Sequence, residues 1–293
     1  MKYRRIAIFL FILSCNTEIP GKEKNSKVFQ FDAPRKVVIQ GYTGDIMEPF
    51  TSRDSHYLFF NNLNEPSVNT NIFYAERIND TLFQYKGEVQ GVNSAALDGV
   101  ASMDSNSNLY FVSTRSYSQS LSTIYHGNFD NGNVTGVDIV PGISRHEPGI
   151  VNFDVEVSAD GNTIYFVDGR FNAGGQPQSA DLVIATRNGT GFQRLPNSDE
   201  ILTAVNTDEL EYAAGISNDE LILFFTRVPF VTSGNVPRIF YTTRENKNLP
   251  FNKPNELMQV EGFVEAATFS GDSLIYYHKK GNSGFELYCI KRK

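Results

Sequence analysis

The chain has 293 residues, and its 33 acidic side chains outnumber the 26 basic ones for a formal net charge of −7. That balance repels phosphate backbones and anionic lipid surfaces, which excludes nucleic-acid binding and purely electrostatic membrane docking. Tryptophan is absent, while 23 Phe and 14 Tyr, many in short runs, suit pleated strands rather than helices.

At the start of the chain, Lys2, Arg4 and Arg5 precede an apolar run from Ile6 to Leu13, followed by Ser14 and Cys15. A basic stretch before a short apolar run is a secretory signal, too short to span a bilayer. The ending Ile12-Leu13-Ser14-Cys15 resembles a bacterial lipobox. The resemblance implies that residues 1–14 are a removed signal peptide and that Cys15 carries lipid. The mature chain then loses Lys2, Arg4 and Arg5 and carries a net charge of −10. Residues 15–26 read as a polar tether reaching roughly 18 Å as a coil. The expected location is the bacterial cell envelope, periplasmic or cell-surface side, with the membrane contacted through the lipid alone. Cys289 is left without an intramolecular partner and reads as a packed, inert thiol.

From residue 27 onward the chain repeats. A Ser-x-Asp triplet followed by a short aliphatic-aromatic strand recurs at Ser52, Ser102, Ser158, Ser217 and Ser270, with spacings of 50, 56, 59 and 53 residues. Such a period marks a repeat architecture. In the third repeat, Val155–Ser158, Thr163–Val167, Ala180–Arg187 and Phe192–Leu195 parse as strands a to d. Equivalent c strands are Asn71–Arg77, Ser122–Gly127, Arg238–Arg244 and Phe285–Lys291. Leu202–Tyr212 has room for a helical turn or two. Four short antiparallel strands per repeat predict an all-β fold, a five-bladed β-propeller over residues 27–293. The last repeat stops after its third strand. Phe31–Gly41 resembles Phe251–Gly262, so the N-terminal strand is expected to join the last blade and close the ring, removing open edges.

Glu48-Pro49-Phe50-Thr51-Ser52-Arg53-Asp54, and Asp154 to Asp160 without the Pro, resemble the WD-like propeller repeat of the TolB type. The similarity runs from Lys27 to Lys293 and implies the propeller fold.

An acid stands at the entry to each innermost strand: Glu48, Asp98, Asp154, Glu211 and Glu265. These are expected to ring one mouth of the central channel. The long connections 61–70, 113–121, 168–179 and 227–237 open on the same face, where binding residues concentrate. The acids have a structural reading, accepting local hydrogen bonds with Arg115, Arg170, Arg227 and Lys279 as counter-charges, and a ligand-binding one. Each Ser-x-Asp carboxylate is expected to cap its own turn. His56, His126, His146 and His278 are scattered without metal-ligand spacing, and no phosphate loop or nucleophile elbow is present, so no metal, cofactor or catalytic set is expected. The reading that follows is a membrane-anchored, non-enzymatic binding or scaffolding module for an envelope protein or polar ligand at the acidic face. The alternative is a glycoside hydrolase like the five-bladed propellers of the arabinanase and invertase type, which place carboxylates at the channel mouth. Against it, five similar acids show no asymmetry to separate a proton donor from a base.

Overall fold

The computed structural model describes residues 24–64, 68–229 and 235–293. The signal, Cys15 and most of the tether lie outside the described residues. Two short strands come first, β1 (Arg35–Lys36) and β2 (Val38–Gln40). A four-stranded meander follows: β3 (Met47–Thr51), β4 (Tyr57–Asn61), β5 (Ile72–Asn79) and β6 (Leu82–Glu88). The second is β7 (Asp98–Met103), β8 (Asn108–Ser113), β9 (Ile124–Asp130) and β10 (Asn133–Ile139), with a helical turn α1 (Tyr117–Ser120) before β9. The third is β11 (Ile150–Val157), β12 (Thr163–Phe171), β13 (Pro177–Asn188) and β14 (Gly191–Arg194). A second helical turn, α2 (Ser198–Ile201), leads to β15 (Leu210–Ile216), β16 (Ile222–Val228), β17 (Arg238–Thr243) and β18 (Asn255–Glu256). The chain ends with β19 (Val264–Ser270), β20 (Leu274–Lys280) and β21 (Phe285–Lys291).

The fold is all-β and propeller-like in its layout. Each meander pairs in sequence order, the third and fourth joined by one parallel bridge, Ala180 to Leu210. No sheet closes into a barrel among the described strands. The innermost strands touch in the order β3, β7, β11, β15, β19 and back to β3. Apolar clusters fill the spaces between successive sheets. Tyr110, Val112, Ile164 and Phe166 join the second to the third, and Phe224, Tyr241, Phe269 and Ile275 join the fourth to the fifth. Paired aromatics such as Phe59-Phe60 and Phe224-Phe225 send one ring to each side of a strand, so a single strand feeds two interfaces. Each fully buried ring contributes about 2–3 kcal/mol of transfer free energy.

The turns between first and second strands explain the Ser-x-Asp signal. Ser52, Ser158 and Ser217 donate from Oγ to Asp54, Asp160 and Asp219 at 2.5, 2.6 and 2.6 Å. The same Oγ atoms each accept the backbone N–H five residues on, at 2.9 Å. The second repeat departs from this. Asp104, not Ser102, occupies the capping place, accepting from the N–H groups of Asn106 and Asn108 at 2.8 and 3.0 Å. The triplet at Ser102 is therefore out of register by two residues.

The N-terminal segment is more than one outer strand. Ser26 bonds Thr242 Oγ1 at 2.9 Å and Lys253 O at 3.2 Å, and Lys24 pairs with Glu245 at 3.0 Å, all at the turn end of the fourth meander. Phe31 then enters the core between the fourth and fifth. Of the expected strand Phe31–Gly41, Arg35–Lys36 forms the ladder with β21, flanked by bonds from Asp32 N to Lys291 O and Val37 N to Leu287 O, and Val38–Gln40 crosses to run parallel to β6 of the first meander. The resemblance of Phe31–Gly41 to Phe251–Gly262 has a local cause. Both end in a left-handed glycine, φ 89° and 88°, before an innermost strand. At the corresponding Gly142 an added Cβ would lie 1.8 Å from the Phe192 carbonyl oxygen, which no side chain tolerates.

A chain starting at Gly41 should lose the partner of β21 and a strand beside β6. We expect aggregation or a clear drop in thermal midpoint by circular dichroism. An unchanged melt contradicts this clasping role.

Candidate active site

Each innermost strand carries a β-bulge. Register slips between Met47 and Phe50, Gly99 and Ser102, Phe153 and Glu156, Tyr212 and Gly215, and Glu265 and Thr268. In each gap one non-glycine residue has positive φ: Glu48 (47°), Val100 (52°), Asp154 (50°), Ala213 (53°) and Ala266 (55°). A bulge of this kind turns a side chain and an N–H out of the ladder. Here the freed N–H reaches the preceding sheet: Val100 to Asn61 Oδ1 at 3.0 Å, Ala266 to Thr226 Oγ1 at 3.2 Å, Glu48 to His278 Nδ1 at 3.2 Å. The Ala213 N–H likewise reaches the preceding sheet, at the side chain of the bulged Asp154, Oδ2 at 3.1 Å.

Counting from the bulge separates the five acids. Glu48 and Asp154 are the bulged residues themselves, Glu265 precedes one by one place, and Asp98 and Glu211 precede theirs by two. The expected ring of five equivalent carboxylates therefore does not form. Asp98 is fully buried against Arg115 at 2.6 Å and also accepts from Ser94 N and Oγ at 2.5 and 2.7 Å. Glu211, equally buried, takes Arg227 at 2.7 Å and Thr207 N and Oγ1 at 3.1 and 2.6 Å. These two hold the incoming connection to the strand. Arg170 and Lys279, expected as counter-charges, turn elsewhere, Arg170 to Glu147 and Lys279 over the Tyr288 ring.

Glu48, Asp154 and Glu265 meet at the centre, 9, 7 and 6% exposed. Among the described residues they have no arginine or lysine partner. Burial pushes the Glu48 carboxyl well above its ordinary value, and the charges of Asp154 and Glu265 add to this. Burial likewise raises Asp154 to about 7, helped by Glu265 and opposed by the Ala213 N–H. Glu265 is served differently. It accepts a hydrogen bond from the Tyr212 hydroxyl at Oε1 and meets His278 Nε2 at 2.9 Å through Oε2. Because His278 Nδ1 accepts the Glu48 N–H, the ring proton sits on Nε2 and is donated to Glu265.

The central cavity holds about 30 Å³, enough for a water or two, over a floor of small side chains that includes Ala101, Ala213 and Ala267. Its turn end is stoppered. Arg53, from the first Ser-x-Asp turn, reaches Glu156 Oε1 at 3.0 Å and Met103 O at 3.2 Å, while Ser102 Oγ donates to Glu156 Oε2 at 2.8 Å. Burial raises the Glu156 carboxyl, opposed by Arg53 and Ser102. The remaining open end is the one into which connections 114–123 and 172–176 project.

Sequence reasoning brought Glu48, Asp154 and Glu265 forward but missed Arg53, Glu156, Tyr212 and His278. His278 was set aside as a scattered histidine. Its position directly across the ladder from Glu265 was the available signal. Among the described residues no group of three or more His, Cys, Asp or Glu side chains is arranged to hold a metal ion.

No family model and no curated protein matches the chain. Solved structures do. A glycoside hydrolase superposes with a TM-score of 0.60 at 10% identity over 92% of both chains. The catalytic domain of the Coprinopsis cinerea GH62 alpha-L-arabinofuranosidase gives 0.55 at 11% identity, covering 90% of this chain and 97% of that one. A family 117 glycoside hydrolase of the marine bacterium Zobellia galactanivorans gives 0.54 at 11% over 92% of each. The fold is that of the glycoside hydrolase propellers. This corrects the TolB-type resemblance, which rested on a turn motif that any blade with a capped a–b turn can carry. The expectation of a non-enzymatic binding module is corrected as well: these three fold neighbours are glycoside hydrolases.

Asp154 supplies a sign-definite test. Its folded value, about 7, lies above the ordinary 3.8, so the folded chain binds the extra proton between those values. Stability is then greatest below pH 4 and falls as pH rises to 7. Urea unfolding at pH 4.5 and 7.5 should show wild type losing stability over that window and Asp154→Asn losing less. Asp98→Asn should instead cost about 3 kcal/mol by stranding Arg115. Equal pH slopes for wild type and Asp154→Asn contradict the assignment.

Proposed function

We propose that this protein is a glycoside hydrolase whose chemistry is carried by Glu48, Asp154 and Glu265. The observation that carries the reading is the division among three neighbouring carboxylates. Two are pushed toward the protonated form, and one is held by hydroxyl and imidazole donors. Glycosidic cleavage needs that pairing of a carboxylic acid with a carboxylate. Asp154, raised to about 7, is matched to donating a proton near neutral pH. It gives its proton to the departing glycosidic oxygen as the bond from that oxygen to the anomeric carbon breaks. Glu265 faces the positive charge growing on the sugar and either adds to the anomeric carbon or takes a proton from the attacking water. Glu48, held neutral, offers an O–H to a sugar hydroxyl. The stoppered channel favours a substrate entering by one end, as a terminal sugar does.

In the same reading the meanders are five blades, with β1 completing the last and closing the ring across the seam with the first. The hydrophobic start, the lipobox-like Cys15 and the envelope location complete the proposal, placing a hydrolase where extracellular glycans are met.

The enzymatic proposal is tested with purified residues 24–293 against a panel of 4-nitrophenyl glycosides that includes the α-L-arabinofuranoside. Release of 4-nitrophenolate is expected, reduced roughly 100-fold or more in Asp154→Asn and Glu265→Gln with the circular dichroism spectrum retained. A wild-type chain silent on the whole panel and on arabinose-containing polysaccharides argues against it. For the anchor, Cys15→Ser in the full chain should move the protein from the detergent phase to the aqueous phase. Continued detergent partitioning contradicts lipidation.

A further inference from the structure

We infer that His278 and Tyr212 form a positioning pair that fixes the Glu265 carboxylate in the cavity and ties its placement to that of Glu48. The inference rests on the hydrolase reading above and adds to it the two residues that set the base apart from the acids.

The position of His278 shows what is unusual about it. Directly opposite the residue before each bulge stand Asn61, Val112, Val167, Thr226 and His278. Asn61 and Thr226 each accept the freed N–H of the next sheet and do no more toward the channel. His278 accepts the Glu48 N–H at 3.2 Å in the same way, but its second nitrogen faces Glu265 at 2.9 Å. A fully buried imidazole thus bridges the backbone of one candidate acid and the side chain of another. Phe285 packs its ring edge-on to the imidazole at 5.4 Å and limits its rotation.

Tyr212 completes the pair from the neighbouring sheet. It occupies on β15 the place that Glu265 occupies on β19, one residue before the bulge, so the two side chains meet. Burial and the three nearby carboxylates keep its hydroxyl from ionising, so it stays a donor. The titratable groups facing Glu265 are then Glu48 on β3, Asp154 on β11, Tyr212 on β15 and His278 on β20. The last two donate to it. Each oxygen of Glu265 thus has one side-chain donor, from a different sheet, which fixes the plane of the carboxylate in the cavity.

The test uses Tyr212→Phe, which removes one hydroxyl and keeps the ring, together with His278→Gln and His278→Asn. The probe is the aryl glycoside from the panel that wild type cleaves best. In Tyr212→Phe, kcat should fall roughly 10- to 100-fold with KM within about twofold. The pH profile should also change, because a hydrogen-bond donor to the reacting carboxylate has been removed. His278→Gln, whose amide nitrogen can reach the Nε2 position, should retain more activity than His278→Asn, which can replace the Nδ1 acceptor alone. If His278 merely braces the seam, the order reverses, stability tracks activity and the pH profile stays put, which overturns the inference. A Tyr212→Phe enzyme with wild-type kcat and pH profile overturns it too, while leaving the hydrolase reading intact. A wild type that cleaves no glycoside removes both.

Discussion

Everything central in this molecule depends on one backbone irregularity, the bulged residue with positive φ in each innermost strand. A non-glycine residue in that conformation costs on the order of 1 kcal/mol or more, so five of them persist because surrounding contacts impose them. The contact is visible at four junctions, where the displaced N–H is captured by the preceding sheet. The bulge therefore does two jobs at once. It cross-links neighbouring sheets at their innermost strands, and it swings the bulged side chain into the cavity. Where that side chain is Ala or Val the result is a floor; where it is Glu48 or Asp154 the result is a buried carboxyl in the cavity.

The same irregularity explains what the sequence did and did not disclose. Period-2 alternation and capped turns made the strands and their repetition readable, because both are local. The acids were readable as acids, but not their phase. Glu48, Asp98 and Glu265 all precede a Ser-x-Asp triplet by a few residues, and nothing in composition says that they sit zero, two and one places from a bulge. A bulge formed at glycine would have left a mark; one formed at Glu48, Val100, Asp154, Ala213 or Ala266 leaves none. In the second repeat the triplet at Ser102 was misleading in a related way, since a carboxylate at Asp104 can cap the turn as a serine does. His278 and Tyr212 lie 13 residues and 53 residues from Glu265. Their meeting is a property of strand pairing and of the contact between β15 and β19, not of spacing.

Partner supply, rather than burial, sorts the carboxylates. Asp98 and Glu211 are more deeply buried than Glu48 or Asp154, yet each has a guanidinium and a connecting loop bound to it. Glu156 is as enclosed and is met by Arg53. Desolvation disfavours all of these charges, and a counter-charge offsets it where one is present. The central cluster lacks that offset at two of its three members, so protons occupy the place that arginine takes elsewhere. An arrangement that leaves like charges crowded in a dry cavity works against stability, and such crowding concentrates at sites of chemistry.

The course of the N-terminal segment has a geometric corollary. Lys24, Asn25 and Ser26 lie beside Glu245, Lys253 and Thr242, at the end of the molecule that carries the short turns. The acid-lined opening is at the other end. If the proposed anchor before Lys24 holds the protein to a bilayer, its turns stand toward the lipid and its cavity faces away. A polymer too large to lie between protein and bilayer could still present its chain ends to that opening.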